Sequence, residues 1–96
     1  RPRMVDLWML RLERGSAAVE TWRLQADAPG ELADEALLPL LRLRGSKTDP
    51  VDEETAFSMG DELMLALFEE QREHAETLLV AAGWQKVAEE RPEESA

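Results

Sequence analysis

The stretch DELMLALFEEQREHAETLLVAAGW, residues 61–84, holds the only histidine of the chain, six acidic side chains, one arginine and a recurrent apolar pattern. Met64, Leu67, Phe68, Gln71, Ala75, Leu78, Leu79 and Ala82 recur at spacings of three and four, and this stripe predicts one long amphipathic helix. Glu62, Glu69, Glu70, Glu73 and Glu76 fall largely outside it, where a helix meets water. Gly83 is expected to take the left-handed position just past the helix, with Trp84 packing back on Leu79. The stretch therefore reads as a helix with a solvated acidic face rather than as a carboxylate and histidine site.

Upstream, GSKTDPVDEET (residues 45–55) carries the signals of a helix start. Asp49 suits the N-cap and Pro50 the first helical position, and Asp52, Glu53 and Glu54 would face the positive end of the helix dipole. Ser58 and Asp61 have capping-box spacing, and Gly60 weakens a helix interior, so a short helix leading into the long one is expected. Before that, Leu32, Ala36, Leu37, Leu40 and Leu41 predict a further helix over 31–38. Pro39 ends it near Leu38, after which either a second short helical turn or an extended LLRLR follows, closed by Gly45.

Towards the N-terminus, MVDLWMLRLE (residues 4–13) presents apolar side chains in both phases of a strand and predicts a strand covered on both sides. Arg14, Gly15 and Ser16 signal a turn. Residues 17–26 fit either a strand or a helix, and their β-branched and aromatic content favours a hairpin partner over 19–24. WQKVA, from Trp84, alternates as an edge strand that would pair with the first strand. The expected fold is α+β: a small antiparallel sheet of about three strands packed against one long and one or two short helices. Residues 1–88 form the single domain of this scheme and residues 89–96 an acidic flexible tail.

Composition agrees with one small folded domain. The chain has 96 residues, of which 44% are apolar and 33% charged, proportions that suit a globular chain with a single modest core. Homodimerisation through a spare apolar face is compatible with so small a core. Cysteine is absent, which excludes disulfides, thiolate ligands and a cysteine nucleophile. The apolar run near the N-terminus is broken by Asp6 and Arg11 and is too short for a signal-peptide core or a membrane span, so a cytoplasmic protein is expected. Nine arginines against two lysines, with abundant alanine and leucine, suggest bacterial coding.

Charge is the most informative bulk property. Residues 1–48 hold seven acids and eight bases, whereas residues 49–96 hold fourteen acids and three bases, giving a net −10 for the whole chain. Such a field repels phosphates and anionic membranes and attracts basic partners, so direct nucleic-acid or membrane binding is not expected.

Specific chemistry is thinly represented. Glu70 and His74, one helical turn apart, could face one metal ion, but no other histidine or cysteine completes a ligand set. No serine lies in a Gly-x-Ser-x-Gly elbow, and the RLRGSK stretch lacks the glycine and Gly-Lys-Ser/Thr spacing of a phosphate loop. Trp8, Trp22 and Trp84 fit apolar patterns and so a core, although Trp22 is the least anchored and could serve as an interface anchor. The expectation is a non-enzymatic protein-interaction module without a cofactor: an adaptor, chaperone or inhibitor that binds a basic protein surface. Asp61, Glu62, Glu69, Glu73, Glu76 and Trp22 are its candidate contact residues. A nucleic-acid mimic acting on a nucleic-acid-binding protein, and a small-ligand or metal site around Glu70 and His74, are the alternatives.

Overall fold

The computed structural model describes residues 17–32 and 35–90, with backbone only for 88–90. Five strands and one helix follow in order: β1 (Ala17–Leu24), β2 (Leu37–Arg44), β3 (Lys47–Pro50), β4 (Glu62–Phe68), a single 3₁₀ turn (Glu69–Gln71), α1 (Arg72–Ala81) and β5 (Trp84–Glu90). The strands form one sheet in the order β3-β2-β4-β1-β5, and every neighbouring pair is antiparallel. The expected three-strand sheet under a long helix is thus replaced by a five-strand sheet with one short helix.

The difference lies mainly in residues 61–71. A helix there would place Leu63 and Leu65 outside the apolar stripe, whereas a strand turns Leu63, Leu65 and Leu67 to one face, each at most 1% exposed. Met64 and Ala66 then occupy the other face. Because β4 is the middle strand, both of its faces accept apolar side chains, and the continuous run LMLALF suits that place. The helix begins only at Arg72 and ends as the sequence indicates: Gly83 has φ +100°, and the Ala82 N–H bonds back to the carbonyl of Leu78 at 3.0 Å.

Two other expected helices are also strands or loops. Residues 37–44 form β2, with Leu37 and Leu38 paired to Leu67 and Ala66. Pro39 fits this strand because the register slips between Pro39 and Leu41, and because β3 pairs with β2 only from Leu41 onward. The acid-rich start at 49–54 lies partly in β3 and partly in a loop, where the Asp52 carboxylate accepts the Glu54 N–H at 2.8 Å and closes a turn without a helix. Ser58 and Asp61 do interact locally. The Ser58 N–H donates to the Asp61 carboxylate at 2.8 Å and the Asp61 N–H to the Ser58 carbonyl at 3.0 Å, around Gly60 at φ +93°.

Residues 19–24 and 84–87 are strands as expected. The strand expected over 4–13, and its pairing with β5, fall outside the described residues; among those described, β5 pairs with β1.

The core lies between the sheet and α1. Trp22 and Leu24 from β1, Leu63, Leu65 and Leu67 from β4, and Trp84 from β5 fill it, with Leu37, Ala75 and Leu79 closing over them. Beside α1, Phe57 of the 51–61 loop meets Trp84 edge-on, with ring centroids 5.3 Å apart and planes at 82°. Residues 25–30 hold the helix end, since Gln25 donates to the Gly83 carbonyl at 2.8 Å and Gly30 to that of Ala82 at 2.9 Å. A Cβ on Gly83 would come within 3.0 Å of the Ala26 methyl, whereas one on Gly45 (φ +60°) would meet open space. Gly83→Ala is therefore expected to cost about 1–3 kcal/mol and to lower the melting temperature clearly more than Gly45→Ala, as thermal unfolding of the two variants would show.

Candidate functional site

The inner surface of α1 meets the sheet around a charged group. Ala18, Glu20, Trp22 and Leu24 share the helix-facing side of β1, so an acid stands in an apolar row, and Glu20 is 0% exposed. Its carboxylate accepts the Trp22 indole N–H at 2.9 Å and a guanidinium N–H of Arg72, from the first residue of α1. The Lys86 ammonium of β5 lies 3.1 Å away and donates also to Glu76 at 2.9 Å. Arg72 in turn holds Glu69 through its second terminal nitrogen, at 2.9 and 3.0 Å. Three carboxylates and two cations thus join β1, the 3₁₀ turn, α1 and β5 into one network.

An ionised carboxylate away from water is strongly disfavoured unless charge and hydrogen bonds replace its hydration. Burial accordingly raises the Glu20 carboxyl above its usual range, opposed in part by the Trp22 N–H and by Lys86. Burial acts upward on Glu76 as well, but Lys86 and the bond with Glu20 outweigh it and leave Glu76 below the usual range. The arrangement is that of two carboxyls competing for one proton between two cations.

A second ionic cluster fixes the loop that precedes β4. Arg44 forms a bidentate pair with Asp61 at 2.6 and 2.9 Å, and Arg42 binds Asp49 at 2.9 Å. Both guanidiniums also donate to the Ala56 carbonyl, at 2.7 and 3.4 Å. The Arg44 hydrogen bond draws the Asp61 carboxyl below the ordinary carboxylate range, and Arg42 does the same for Asp49.

The six residues expected to touch a partner are dispersed. Trp22, weighed as an exposed anchor, is 2% exposed and belongs to the core. Asp61 is buried under Arg44, and Glu62 pairs with Arg23 at 2.7 Å on the sheet face turned away from α1. Glu69, Glu73 and Glu76 do share the helical segment. Glu69 and Glu73 are exposed, and Glu76 is half-buried in the network.

Glu73, Glu76, Thr77, Val80 and Ala81 line a shallow depression on the outside of α1, and Val80 is 64% exposed there. Glu70 and His74 border a neighbouring depression with Gln71, Glu73 and Thr77. Among the described residues no group of three or more histidine, cysteine, aspartate or glutamate side chains is placed to hold a metal ion. Glu20, Arg72 and Lys86, which organise the site, escaped sequence reasoning. The one available signal was an acid in the apolar phase of β1.

No protein-family model, curated protein or solved structure matches the chain. No helix among the described residues is long and apolar enough to cross a membrane.

The raised Glu20 carboxyl means that the folded domain holds this proton more tightly than the unfolded chain does. Its contribution is present below the usual glutamate value of 4.5 and is lost as pH rises through the folded value. Glu76, Asp61 and Asp49 behave oppositely, and their contributions are lost as pH falls through their lowered values. In melting curves taken from about pH 4 to 8, the wild type should lose stability relative to Glu20→Gln as pH rises, while both weaken at the acid end. Parallel curves for the two proteins across that range would contradict the shared-proton arrangement.

Proposed function

We propose that the protein is an interaction module that docks a basic protein surface on the outer face of α1. The supporting observation is the direction of Arg72. It is the only lysine or arginine in residues 69–81, and its guanidinium is turned inward to Glu20 and Glu69. Glu69, Glu70 and Glu73 are exposed in the same segment, and Glu73 lines one depression with the exposed Val80.

Acids beside an apolar surface suit arginine or lysine side chains, whose stems lie on Val80 and Ala81 while their head groups reach Glu73. Complementary charge of this kind mainly speeds encounter and selects the partner, and apolar contact lengthens the life of the complex. Glu69 and Glu76 are poor targets for a test because they also hold Arg72 and Lys86. Glu73 and Val80 lack such a role.

The double variant Glu73→Gln, Val80→Lys, which puts no charge against the helix dipole, should melt within about 5 °C of the wild type and bind the partner at least about tenfold more weakly. Affinity capture with nuclease-treated lysate, run in parallel with both proteins and eluted in rising salt, gives the comparison. A basic partner retained by the wild type and released by the double variant is the expected result. A partner held equally by both would overturn the reading.

A further inference from the structure

The sheet has two faces, and α1, residues 25–32 and the 51–61 loop contribute to the core on one of them. Pairing with β4 assigns Val19, Leu38, Leu41, Leu43, Met64 and Ala66 to the other. They form a contiguous apolar surface over three strands, and each is half-buried rather than exposed. At one end of the same row stands Phe68, which is 1% exposed and does not belong to the cluster under α1. A layer of this composition is stable when something apolar covers it.

We propose that the cover is the chain's own N-terminal segment, residues 4–13, which closes a second apolar core on the face of Leu41 and Met64. Outside the described residues the sequence offers one apolar stretch, MVDLWMLRLE; the others are Ala33 and Asp34 and the polar RPEESA. This stretch joins β1 at Ala17, which is paired with Phe68, so the chain arrives at the end of the face where Phe68 is already buried.

Topology rules out the simplest alternative. A hairpin through Arg14, Gly15 and Ser16 would need a free edge on β1, and β4 and β5 take both. Length is sufficient: ten residues reach about 33 Å when extended, against about 19 Å across five strands. A second copy of the chain has the same apolar surface to offer. A segment tethered three residues away meets the face at an effective concentration in the millimolar range, well above that of a free partner.

The absence of native cysteine gives a direct test. Met64→Cys places a single thiol on the face in question. In the full-length protein it should react slowly with a maleimide, at a rate independent of protein concentration. Adding Trp8→Asp and Leu10→Asp should speed the reaction by more than about tenfold while far-UV circular dichroism keeps its strand signal.

Equal rates in the two proteins would overturn the proposal, and protection that fades on dilution would assign the face to a second copy instead. A further arm avoids the acidic substitutions, which could unfold the domain. Trp8→Cys, Met9→Cys and Leu10→Cys are each combined with Met64→Cys. At least one of these pairs should form a disulfide within the monomer, and the idea fails if none does.

Discussion

A carboxylate without exposed surface sits in the middle of β1, and the placement of the helix follows from what that group requires. Glu20 occupies a position where alternation supplies alanine, tryptophan and leucine, so its charge must be met by groups brought from elsewhere. Arg72 comes from the first turn of α1, Lys86 from β5 and an N–H from Trp22 on its own strand. A guanidinium can satisfy Glu20 only if α1 begins at about the level of that residue, and Lys86 only if β5 runs beside β1. The network therefore specifies where the helix starts and which strand follows it, in addition to any stability it contributes, which for buried ion pairs is commonly small.

The same demand explains why the helix is short. The chain has to leave the central strand after Phe68, turn through Glu69–Gln71 and present Arg72 over the sheet. Ten residues then suffice to bring Ala75 and Leu79 onto the core before Gly83 turns the chain back into β5. The core is supplied mainly by the strands, and the helix acts as a lid on it.

What the sequence revealed follows from how local each decision is. β1 and β5 could be read because alternation and β-branched or aromatic residues act within a few positions, and the stop at Gly83 could be read because a left-handed backbone asks for glycine. β4 could not. LMLALF satisfies both periods, and what selects the strand is its place between β1 and β2, which only the assembled sheet provides.

In β2, the spacing of Leu32, Ala36, Leu37, Leu40 and Leu41 favoured a helix that Pro39 would end. Only the extended alternative for LLRLR agrees with the strand, and the bulge at Pro39 could not be foreseen. Asp52 and Asp61 make the side chain to backbone bonds that helix caps make, and in this chain those bonds close turns. The site divides the same way. Glu69, Glu73 and Glu76 were assigned to the helical segment because they lie off the apolar positions, while Glu20, Arg72 and Lys86 are brought together by three separate elements.

Charge in this domain is sorted between inside and outside. The network around Glu20 engages the one arginine of the helical segment and a lysine of β5, and the clamp on the 51–61 loop engages Arg42 and Arg44. These four basic side chains thus hold elements together, while Glu69, Glu70 and Glu73 lie towards solvent. Glu69 and Glu70 precede α1 and Glu73 lies in its first turn, where the unpaired N–H groups of a helix carry partial positive charge. Placed there, the acids of the proposed docking face are tolerated by the fold, because the helix dipole favours them at this end and would oppose them at the other.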